Sequence, residues 1–480
     1  MMKPAAAALL ITVLVSGAAA GTLRWTEPVP IWPDTAGTDI LWQSRPVLTG
    51  NDTALWAVWW QGKGDSGHIK ATRHDGRQWL PPVSVFHGTR SNPPYYLRLT
   101  LDREQEPWVV YDLVDTTGAD LLYSHRSGDT WTHPAVVIRD SRRKPYAPGL
   151  GAHPQGGVQV AWVREEWYDV WLYTAHGTED SWTTPVMVDA AEAIMLMRSP
   201  AVAAINDSQM MVVWPACRDL VHTPLWSMVG SGTSWTEPVA VAFPPGGTEY
   251  PAQLVVPRTG PGVGDVRLFW HRNGHGLQTA RYDYDGERWV EPLQLDPECT
   301  GEPAACTDEY GWTWVSHYNQ LGDYWRSVVR YHDGTAWSEP MIPHTDTALA
   351  IVGLAAAHGR IWAIMRGYQA YPGRLLYYSS VAHPLAVSEP DRTPVRQPAG
   401  PTIVRGILNL QSGIWNPESD FVLLNASGRK VMELQPGEND VRHLAPGVYF
   451  IRAEDPRGQG YAGAHALRFE GSSRKVVIQR

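Results

Sequence analysis

Eleven arginine, acidic, tyrosine and histidine side chains stand close to short apolar runs, where a strand could hold them at its end. An arginine guanidinium can bind a carboxylate through two parallel hydrogen bonds. Aspartate, glutamate and histidine can give or take a proton, and a tyrosine ring can stack on a sugar. These residue types indicate a ligand pocket, and the alternative is that they are ordinary solvated loop groups and structural ion pairs. They are Arg45, Asp112, Glu165, Arg198, Arg218, Glu249, Tyr250, His271, Tyr310, His317 and Arg366.

Composition argues against several other functions. The 480-residue chain has a formal net charge of -9, whereas a nucleic-acid binder needs a basic surface to neutralise phosphates. The chain lacks the cluster of cysteines and histidines that a zinc site needs, and the sequence predicts neither a metal nor a cofactor. Cys299 and Cys306 are close enough in sequence to close a small disulfide loop in an oxidising compartment.

Residues 1–20 have the pattern of a secretory signal peptide. Lys3 gives the positive start, an apolar segment follows from Ala5 to Val15, and small residues at 18–20 offer a cleavage site. The apolar segment is too short for a spanning helix, and no later stretch reaches the ~18 apolar residues that one needs. We therefore expect an exported protein without a transmembrane span.

The elements that must position the candidate residues are set by a repeat. A turn, a tryptophan and a proline three residues later recur at intervals of 48 to 54 residues, a period typical of propellers and solenoids. Short runs rich in Val, Ile and aromatic residues lie between the copies and predict strands. The copies centre on Trp25, Trp79, Trp131, Trp182, Trp235, Trp289 and Trp337.

Each repeat predicts a blade of four antiparallel strands, with the tryptophan turn joining the third strand to the fourth. The proline suits an outer edge strand, where a missing N–H costs no ladder hydrogen bond. Trp25 has no strands before it, whereas residues 347–382 supply three strands without a following copy. The N-terminal strand would therefore complete the last blade and close the ring. We predict an all-β protein with a seven-bladed β-propeller over residues 21–385, and six blades is the alternative.

The repeat resembles the Asp-box (BNR) repeat of sialidase-like propellers in the spacing of its glycine and tryptophan, as in the run from Ser127 to Trp131. Most copies lack the Asp two residues before the glycine, so the match is to a degenerate relative. Sialidases use an arginine triad, a Tyr/Glu nucleophile pair and an acidic Asp. The resemblance implies that Arg45, Arg198, Arg218 and Arg366 could supply arginines, and that Tyr250 with Glu249 or Glu165 could supply the nucleophile pair.

The predicted topology separates the repeats from the candidate residues. Turns within each blade that carry the repeat lie on one face, whereas loops between second and third strands and between blades lie on the other. We expect the eleven candidates on this second face, around the mouth of the central channel. Function is therefore expected in the unrepeated loops.

A second domain follows a linker at residues 386–400 that is rich in proline and polar residues. Residues 401–480 alternate short strands with turns and predict a small antiparallel β-sandwich. This segment resembles the type A C-terminal sorting domain of type IX secretion substrates. The resemblance implies contact with outer-membrane secretion machinery and a secreted or surface-anchored bacterial protein. The matching positions include Gly428, Arg429, Lys430, Pro446, Gly447, Val448 and Tyr449.

Three functions are consistent with these features. The leading hypothesis is a binding or scaffold module for extracellular glycans or proteins, without catalysis. The second is a sialidase-like exo-glycosidase working through carboxylates or a tyrosine nucleophile. The third is a structural adhesin or wall component.

Overall fold

In the computed structural model the chain forms two compact units, residues 1–386 and 387–480. Regular structure in the described residues consists of β-strands, and these residues include no helix long and apolar enough to cross a membrane. The structure describes residues 23–31, 45–63, 65–89, 93–115, 118–140, 144–166, 169–192, 199–216, 223–241, 253–260, 263–321, 324–344, 349–367, 376–384, 402–404, 407–410, 420–425, 429–435, 437–454 and 474–478.

The first unit contains seven sheets of antiparallel strands, numbered here as blades 1 to 7. The N-terminal strand is β1 (Val29–Pro30). Blade 1 comprises β2 (Val47–Gly50), β3 (Leu55–Lys63), β4 (Ser66–His74) and β5 (Val83–Thr89). Blade 2 comprises β6 (Leu97–Leu101), β7 (Pro107–Asp115), β8 (Gly118–Ser127), β9 (Thr130–Trp131) and β10 (Ala135–Asp140). Blade 3 comprises β11 (Lys144–Ala152), β12 (Val158–Glu166), β13 (Asp169–Gly177) and β14 (Val186–Glu192).

The remaining blades follow the same order, although the sheet of blade 6 has three strands in the described residues instead of the predicted four. Blade 4 comprises β15 (Ala201–Ala204), β16 (Met210–Pro215), β17 (Leu225–Ser231), β18 (Ser234–Trp235) and β19 (Val239–Ala240). Blade 5 comprises β20 (Gln253–Val255), β21 (Arg267–Arg272), β22 (Gly276–Asp283) and β23 (Arg288–Asp296). Blade 6 comprises β24 (Ala304–Thr307), β25 (Thr313–Leu321) and β26 (Tyr324–His332). Blade 7 comprises β27 (Leu349–Ala357), β28 (Arg360–Gly367) and β29 (Leu376–Ala382).

The N-terminal strand completes blade 7, as the unpaired first repeat predicts. β1 pairs antiparallel with β29, so that Val29 stands opposite Tyr378. Ahead of the strand, the Thr26 N–H donates to the Ser380 carbonyl at 2.9 Å, and the Ser380 N–H donates to Thr26 Oγ1 at 3.0 Å. The seven-bladed prediction is therefore confirmed, with the first and last parts of the propeller sharing one sheet.

Apolar clusters fill the spaces between successive blades. Each of seven buried clusters draws its members from two neighbouring blades, and one of them joins blade 7 to blade 1. The second strand of each blade contributes a tryptophan that is at least nine-tenths buried, which explains much of the tryptophan content. Those with less than 2% exposure are Trp59, Trp60, Trp108, Trp162, Trp214, Trp270 and Trp314.

The repeat tryptophans stand where predicted, at the turn between third and fourth strands. Trp131 pairs with Arg126 across that turn, and Trp337 forms the equivalent bridge with His332. In five blades the residue after the tryptophan is Thr or Ser. Its hydroxyl accepts a hydrogen bond from the N–H of one third-strand residue, and its backbone N–H donates to the carbonyl of that third-strand residue. Thr132, for example, accepts from the His125 N–H at 3.1 Å.

The second unit is a small β structure with its own core. Its strands are β30 (Thr402–Val404), β31 (Ile407–Leu410), β32 (Asp420–Asn425), β33 (Lys430–Leu434), β34 (Gly437–Asp440), β35 (Gly447–Glu454) and β36 (Arg474–Ile478). One sheet has the order β30-β36-β35-β32-β33, and β31 pairs with β34. The pairing differs from a purely antiparallel prediction in one place, because β30 and β36 run parallel. The core includes Leu423, Leu434, Val441, Tyr449 and Ile451.

The sorting-motif positions lie on two neighbouring hairpin segments of this unit. Arg429 ends the β32–β33 turn, where its carbonyl accepts from the Asn425 N–H at 2.9 Å, and Lys430 begins β33. Gly447, Val448 and Tyr449 begin β35, just after the exposed Pro446. The Tyr449 hydroxyl donates to the Ala445 carbonyl at 2.8 Å and fixes this turn. Gly428 lies outside the described residues.

Candidate functional site

A cavity of about 610 Å³ opens on the face that carries the loops between blades. Its walls come from the loop before β2, the end of β21, the loop after β23 and the strand β25. A volume of this size is ordinary for a small-molecule site. The lining residues are Arg45, His271, Asn273, Gly274, Gly276, Pro297, Glu298, Cys299, Thr300, Gly301, Glu302 and Tyr318.

An ion pair joins two separate loops at the cavity. Arg45 stands two residues before β2, and Glu302 stands two residues before β24, so the loops that lead into blades 1 and 6 meet here. Arg45 Nη1 lies 2.5 Å from Glu302 Oε2, with about a third of each side chain exposed. Arg45 Nη2 also donates to the Tyr318 hydroxyl at 3.5 Å. The guanidinium is thus held between a carboxylate and a phenol.

The Tyr318 ring packs directly on the backbone of Gly301 in the cavity wall. A Cβ atom built on Gly301 would lie 2.0 Å from Cζ of Tyr318, so only glycine lets the ring pack on this backbone. Burial raises the pKa of Tyr318, although the charge of Arg45 opposes the change. The hydroxyl therefore stays protonated near neutral pH and can both donate and accept a hydrogen bond.

The loop that forms the cavity wall is anchored from below by a buried histidine. His317 Nε2 lies 2.7 Å from Asp296 Oδ2, and the histidine side chain is fully buried. Asp296 Oδ1 also accepts from the Glu298 N–H at 2.8 Å, which shapes the start of the wall. Burial alone would raise the pKa of Asp296, but the hydrogen bond from His317 and the Glu298 N–H lower it to about 2.

Asp112 holds a neighbouring loop of blade 2. It is 1% exposed, and its Oδ1 accepts from the Tyr96 N–H at 2.7 Å. Burial raises the pKa of Asp112 to about 6, against the lowering effect of backbone N–H groups and of Arg98. The charges of Glu302, Arg45 and Asp112 all act on Arg98. Through the Tyr96 N–H, Asp112 therefore fixes the loop that leads into β6.

The structure brings some of the predicted site residues together and separates others. Arg45 and His271 line the cavity, His317 lies behind one wall, and Asp112 lies in blade 2 and is not among the described lining residues. His317 is not at the end of its strand as predicted, because β25 continues four residues beyond it. Arg366 lies near the end of β28, paired with Ala350 and Leu376, and is not among the residues that line the cavity.

Tyr310 was predicted on the wrong face. It lies in the turn between β24 and β25, where its N–H donates to Asp308 Oδ1 at 3.0 Å, and its ring stacks on His383 at 4.1 Å. This turn joins a first strand to a second strand, so it shares a face with the repeat turns. The error arose because the short strand β24 precedes Tyr310 and was not recognised.

Five predicted residues cannot be compared with the cavity. Glu165 lies in β12, paired with Lys144 and Val170, and its side chain is outside the described part of the structure. The other four lie wholly outside it. They are Arg198, Arg218, Glu249 and Tyr250.

The predicted disulfide is absent, and both thiols are free. Cys299 lies in the cavity wall and packs in the cluster between blades 5 and 6, whereas Cys306 lies in β24 and packs toward blade 7. A strand that rises about 3.3 Å per residue carries the two sulfurs apart. Burial raises the pKa of the Cys299 thiol to about 12. Among the described residues no group of three or more His, Cys, Asp or Glu is arranged to hold a metal ion.

Sequence reasoning missed most of the cavity wall. Glu298, Thr300, Gly301 and Glu302 form the connection from blade 5 to blade 6, which is the kind of loop where candidates were expected. The signal that could have identified them is Asp308, followed three residues later by Gly311, because an aspartate and a glycine at this spacing mark a tight turn. If this turn joins the first and second strands of blade 6, the loop between blades 5 and 6 must lie before it, at residues 297–303.

The fold is shared with known propellers. The chain is similar to the BP39L lectin of Burkholderia pseudomallei, with a TM-score of 0.53 and 16% identity over 71% of this chain and 97% of the lectin. It is also similar to a leech intramolecular trans-sialidase (TM-score 0.44, 9% identity, 68% and 83% of the two chains). The NanB sialidase of Streptococcus pneumoniae gives a TM-score of 0.41, with 11% identity over 72% and 69%. No protein-family model and no curated protein matches the sequence. The lectin match agrees with a β-propeller for the first unit.

Proposed function

We propose that the first unit is a glycan-binding β-propeller and that the cavity between blades 1, 5 and 6 is its binding site. The observation that carries the proposal is the pairing of Arg45, Glu302 and Tyr318 at one edge of the cavity. A guanidinium, a carboxylate and a phenol side by side offer both the donors and the acceptors that sugar hydroxyls can bond. The similar fold of the BP39L lectin supports the same choice.

Binding to a glycan array, followed by calorimetry on the best ligands, tests this proposal. Replacing Arg45 with alanine is expected to weaken binding by about tenfold or more, since a charged hydrogen bond contributes roughly 1.5–3 kcal/mol. Arg139→Ala is the matched control. Arg139 lies on the outer strand of blade 2 and forms an ion pair with Asp120, but neither residue lines the cavity. Absence of any glycan binding by the unaltered protein would contradict the proposal.

Catalysis is the alternative use of this cavity. The sialidase resemblance needs three arginines near a Tyr/Glu pair. Two of the four candidate arginines and the Tyr250–Glu249 pair lie outside the described residues. Arg45, the arginine that the described residues contribute to the cavity, is already paired with Glu302. We therefore favour binding, and expect no turnover of fluorogenic glycosides by the purified propeller. Turnover that Arg45→Ala abolishes would favour the enzyme instead.

We also propose that the second unit directs export, as its resemblance to type IX sorting domains implies. The compact fold of residues 387–480 supports a separate role for this segment. Expression in a type IX-competent bacterium gives the test. Removal of residues 401–480 is expected to leave the propeller in the periplasm, whereas secretion of the shortened protein would exclude the sorting role.

A further inference from the structure

We infer that the cavity selects an uncharged sugar over an acidic one. This inference rests on the proposed glycan-binding function and narrows it to a ligand class. It starts from the charged residues that the described part of the structure places in the lining, which are one arginine and two glutamates, Arg45, Glu298 and Glu302. The formal charge of these three side chains together is -1, unlike that of a site built for carboxylates.

The Arg45 guanidinium is already neutralised by a carboxylate. Arg45 lies 2.5 Å from Glu302, so an incoming carboxylate would have to displace Glu302 from it. The displaced Glu302 would then stand beside the ligand carboxylate in a partly buried site, and two like charges at close range repel each other. Removing one partner from such a pair also leaves a charge without compensation.

The second carboxylate adds to this effect. Glu298 stands on the same wall, where Arg326 approaches it only at 3.4 Å and its side chain is 62% exposed. Asn319 donates to it at 3.5 Å. These long contacts neutralise Glu298 less completely than Glu302 is neutralised by Arg45. An acidic sugar would therefore meet a carboxylate that is only partly neutralised on entering the cavity.

A neutral sugar suits the same groups without breaking them apart. Two adjacent hydroxyls can accept from Arg45 and donate to Glu302 at the same time, because a hydroxyl is both donor and acceptor. Hydrogen bonds to charged partners are the stronger kind. The Arg45–Glu302 pair can then bind the two hydroxyls of a vicinal diol, one to each side chain. The cavity volume of about 610 Å³ accommodates a mono- or disaccharide.

Matched pairs of ligands test the selectivity by calorimetry on the full chain. The pairs are lactose with 3'-sialyllactose, and methyl glucoside with methyl glucuronide, together with whichever neutral glycan binds best on an array and its acidic derivative. We expect the neutral member to bind about tenfold more tightly, a difference of roughly 1.4 kcal/mol. Its affinity is expected to change little between low and high salt, because no net charge is neutralised on binding.

The Glu302→Gln variant gives the decisive comparison. It keeps the shape of the side chain and removes the charge that neutralises Arg45, so the preference for neutral over acidic sugar should shrink about tenfold or reverse. Asp120→Asn, which breaks the ion pair with Arg139 on blade 2, should leave the preference unchanged. Thermal melting shows whether each variant is folded. If Glu302→Gln does not fold, the preference of the wild-type protein and the salt dependence of its binding still test the inference.

The outcomes separate the inference from the function beneath it. Tighter or equal binding of the acidic members by the wild-type protein would overturn the inference and leave glycan binding in place. An unchanged preference in folded Glu302→Gln would do the same. Failure of every neutral and acidic glycan to bind would instead overturn the proposed function.

Discussion

A single glycine determines the position of the tyrosine in the proposed site. The Tyr318 ring occupies the space that any side chain at residue 301 would need, and the same ring carries the hydroxyl that Arg45 contacts. The position of Tyr318 therefore depends on a residue with no functional group of its own. No property of Gly301 in the sequence distinguishes it from the other 43 glycines of the 44 in the chain.

Substituting Gly301 with alanine should displace the Tyr318 ring, because the new Cβ would lie 2.0 Å from Cζ. We expect glycan affinity to fall by about tenfold, with only a small change in melting temperature because the wall is partly exposed. Tyr318→Phe keeps the ring and removes the hydroxyl, and calorimetry on both variants separates position from hydrogen bonding. Unchanged affinity in both would show that Tyr318 does not contact the ligand.

The buried carboxyl of Asp112 gives a prediction with a definite sign. Its pKa is about 6 in the folded protein, against an ordinary value of 3.8. Between these values the folded state holds more protons than the unfolded state, so the free energy of unfolding falls as pH rises from about 4 to about 6 and is level above that range. The buried charge therefore lowers stability at neutral pH.

Asp112→Asn should remove this decline, since an amide oxygen can still accept from the Tyr96 N–H and carries no charge. Relative to the wild type, the variant should gain up to about 3 kcal/mol in free energy of unfolding between pH 4 and pH 7. Urea titrations at the two pH values measure the difference. If the variant and the wild type differ by the same amount at both, Asp112 does not titrate in this range.

At the scale of the element, each blade is held at its outer turn by the repeat. The tryptophan packs at the turn between the third and fourth strands, and the proline ends the ladder of hydrogen bonds. In five blades the hydroxyl of the Thr or Ser that directly follows the tryptophan accepts a hydrogen bond from a third-strand N–H. The sequence carries the signal for this hydroxyl in the pattern of Trp, Thr or Ser, any residue and Pro, which five copies of the repeat share. The hydroxyl satisfies an N–H that the short outer strand would otherwise leave unpaired.

Replacing Thr132 with valine tests this contact, because valine keeps the shape and loses the acceptor at 3.1 Å from the His125 N–H. We expect a loss of about 1–3 kcal/mol in the free energy of unfolding, as for a buried donor left unsatisfied. Thr130→Val in the same turn is the control, since Thr130 is exposed and should change stability by less than about 0.5 kcal/mol. Equal losses in the two variants would assign the effect to the turn in general.

The sequence predicts the blades well and the site poorly, for a physical reason. Trp289 and Pro292 recur because every blade needs the same turn, so their meaning is visible from the repeat alone. Glu302 and Tyr318 occur once, and their contact with Arg45 joins residues more than 250 positions apart. Short strands are the weak point of sequence-based prediction, and β24 shows it. Its two consequences are that Tyr310 lies on the other face than predicted, and that Cys299 and Cys306 are separated although they are close in sequence.

At the scale of the whole molecule, stability depends on the closure between blade 7 and the N-terminal strand. The contact is small in length, with only two residues in β1, but it covers the edge of β29 and buries Ile31 to 3% exposure. Leu23 and Trp25 pack against the cluster between blades 6 and 7. Closing the ring in this way leaves no first or last sheet with a free side.

A chain that begins at Pro33 should therefore be much less stable than one that begins at Leu23. It loses the β1–β29 pairing and the burial of Leu23, Trp25 and Ile31. At roughly 1.5–3 kcal/mol for each large apolar side chain, discounted because Leu23 and Trp25 are only partly buried, the loss should be at least about 3 kcal/mol. Thermal melting with limited proteolysis measures it, and cleavage should begin in blade 7, whose outer edge becomes exposed. The chain beginning at Leu23 is the control and should melt like the longer protein. If the two shortened chains melt at the same temperature, the ring is held by its blade-to-blade clusters and the N-terminal strand adds nothing to closure.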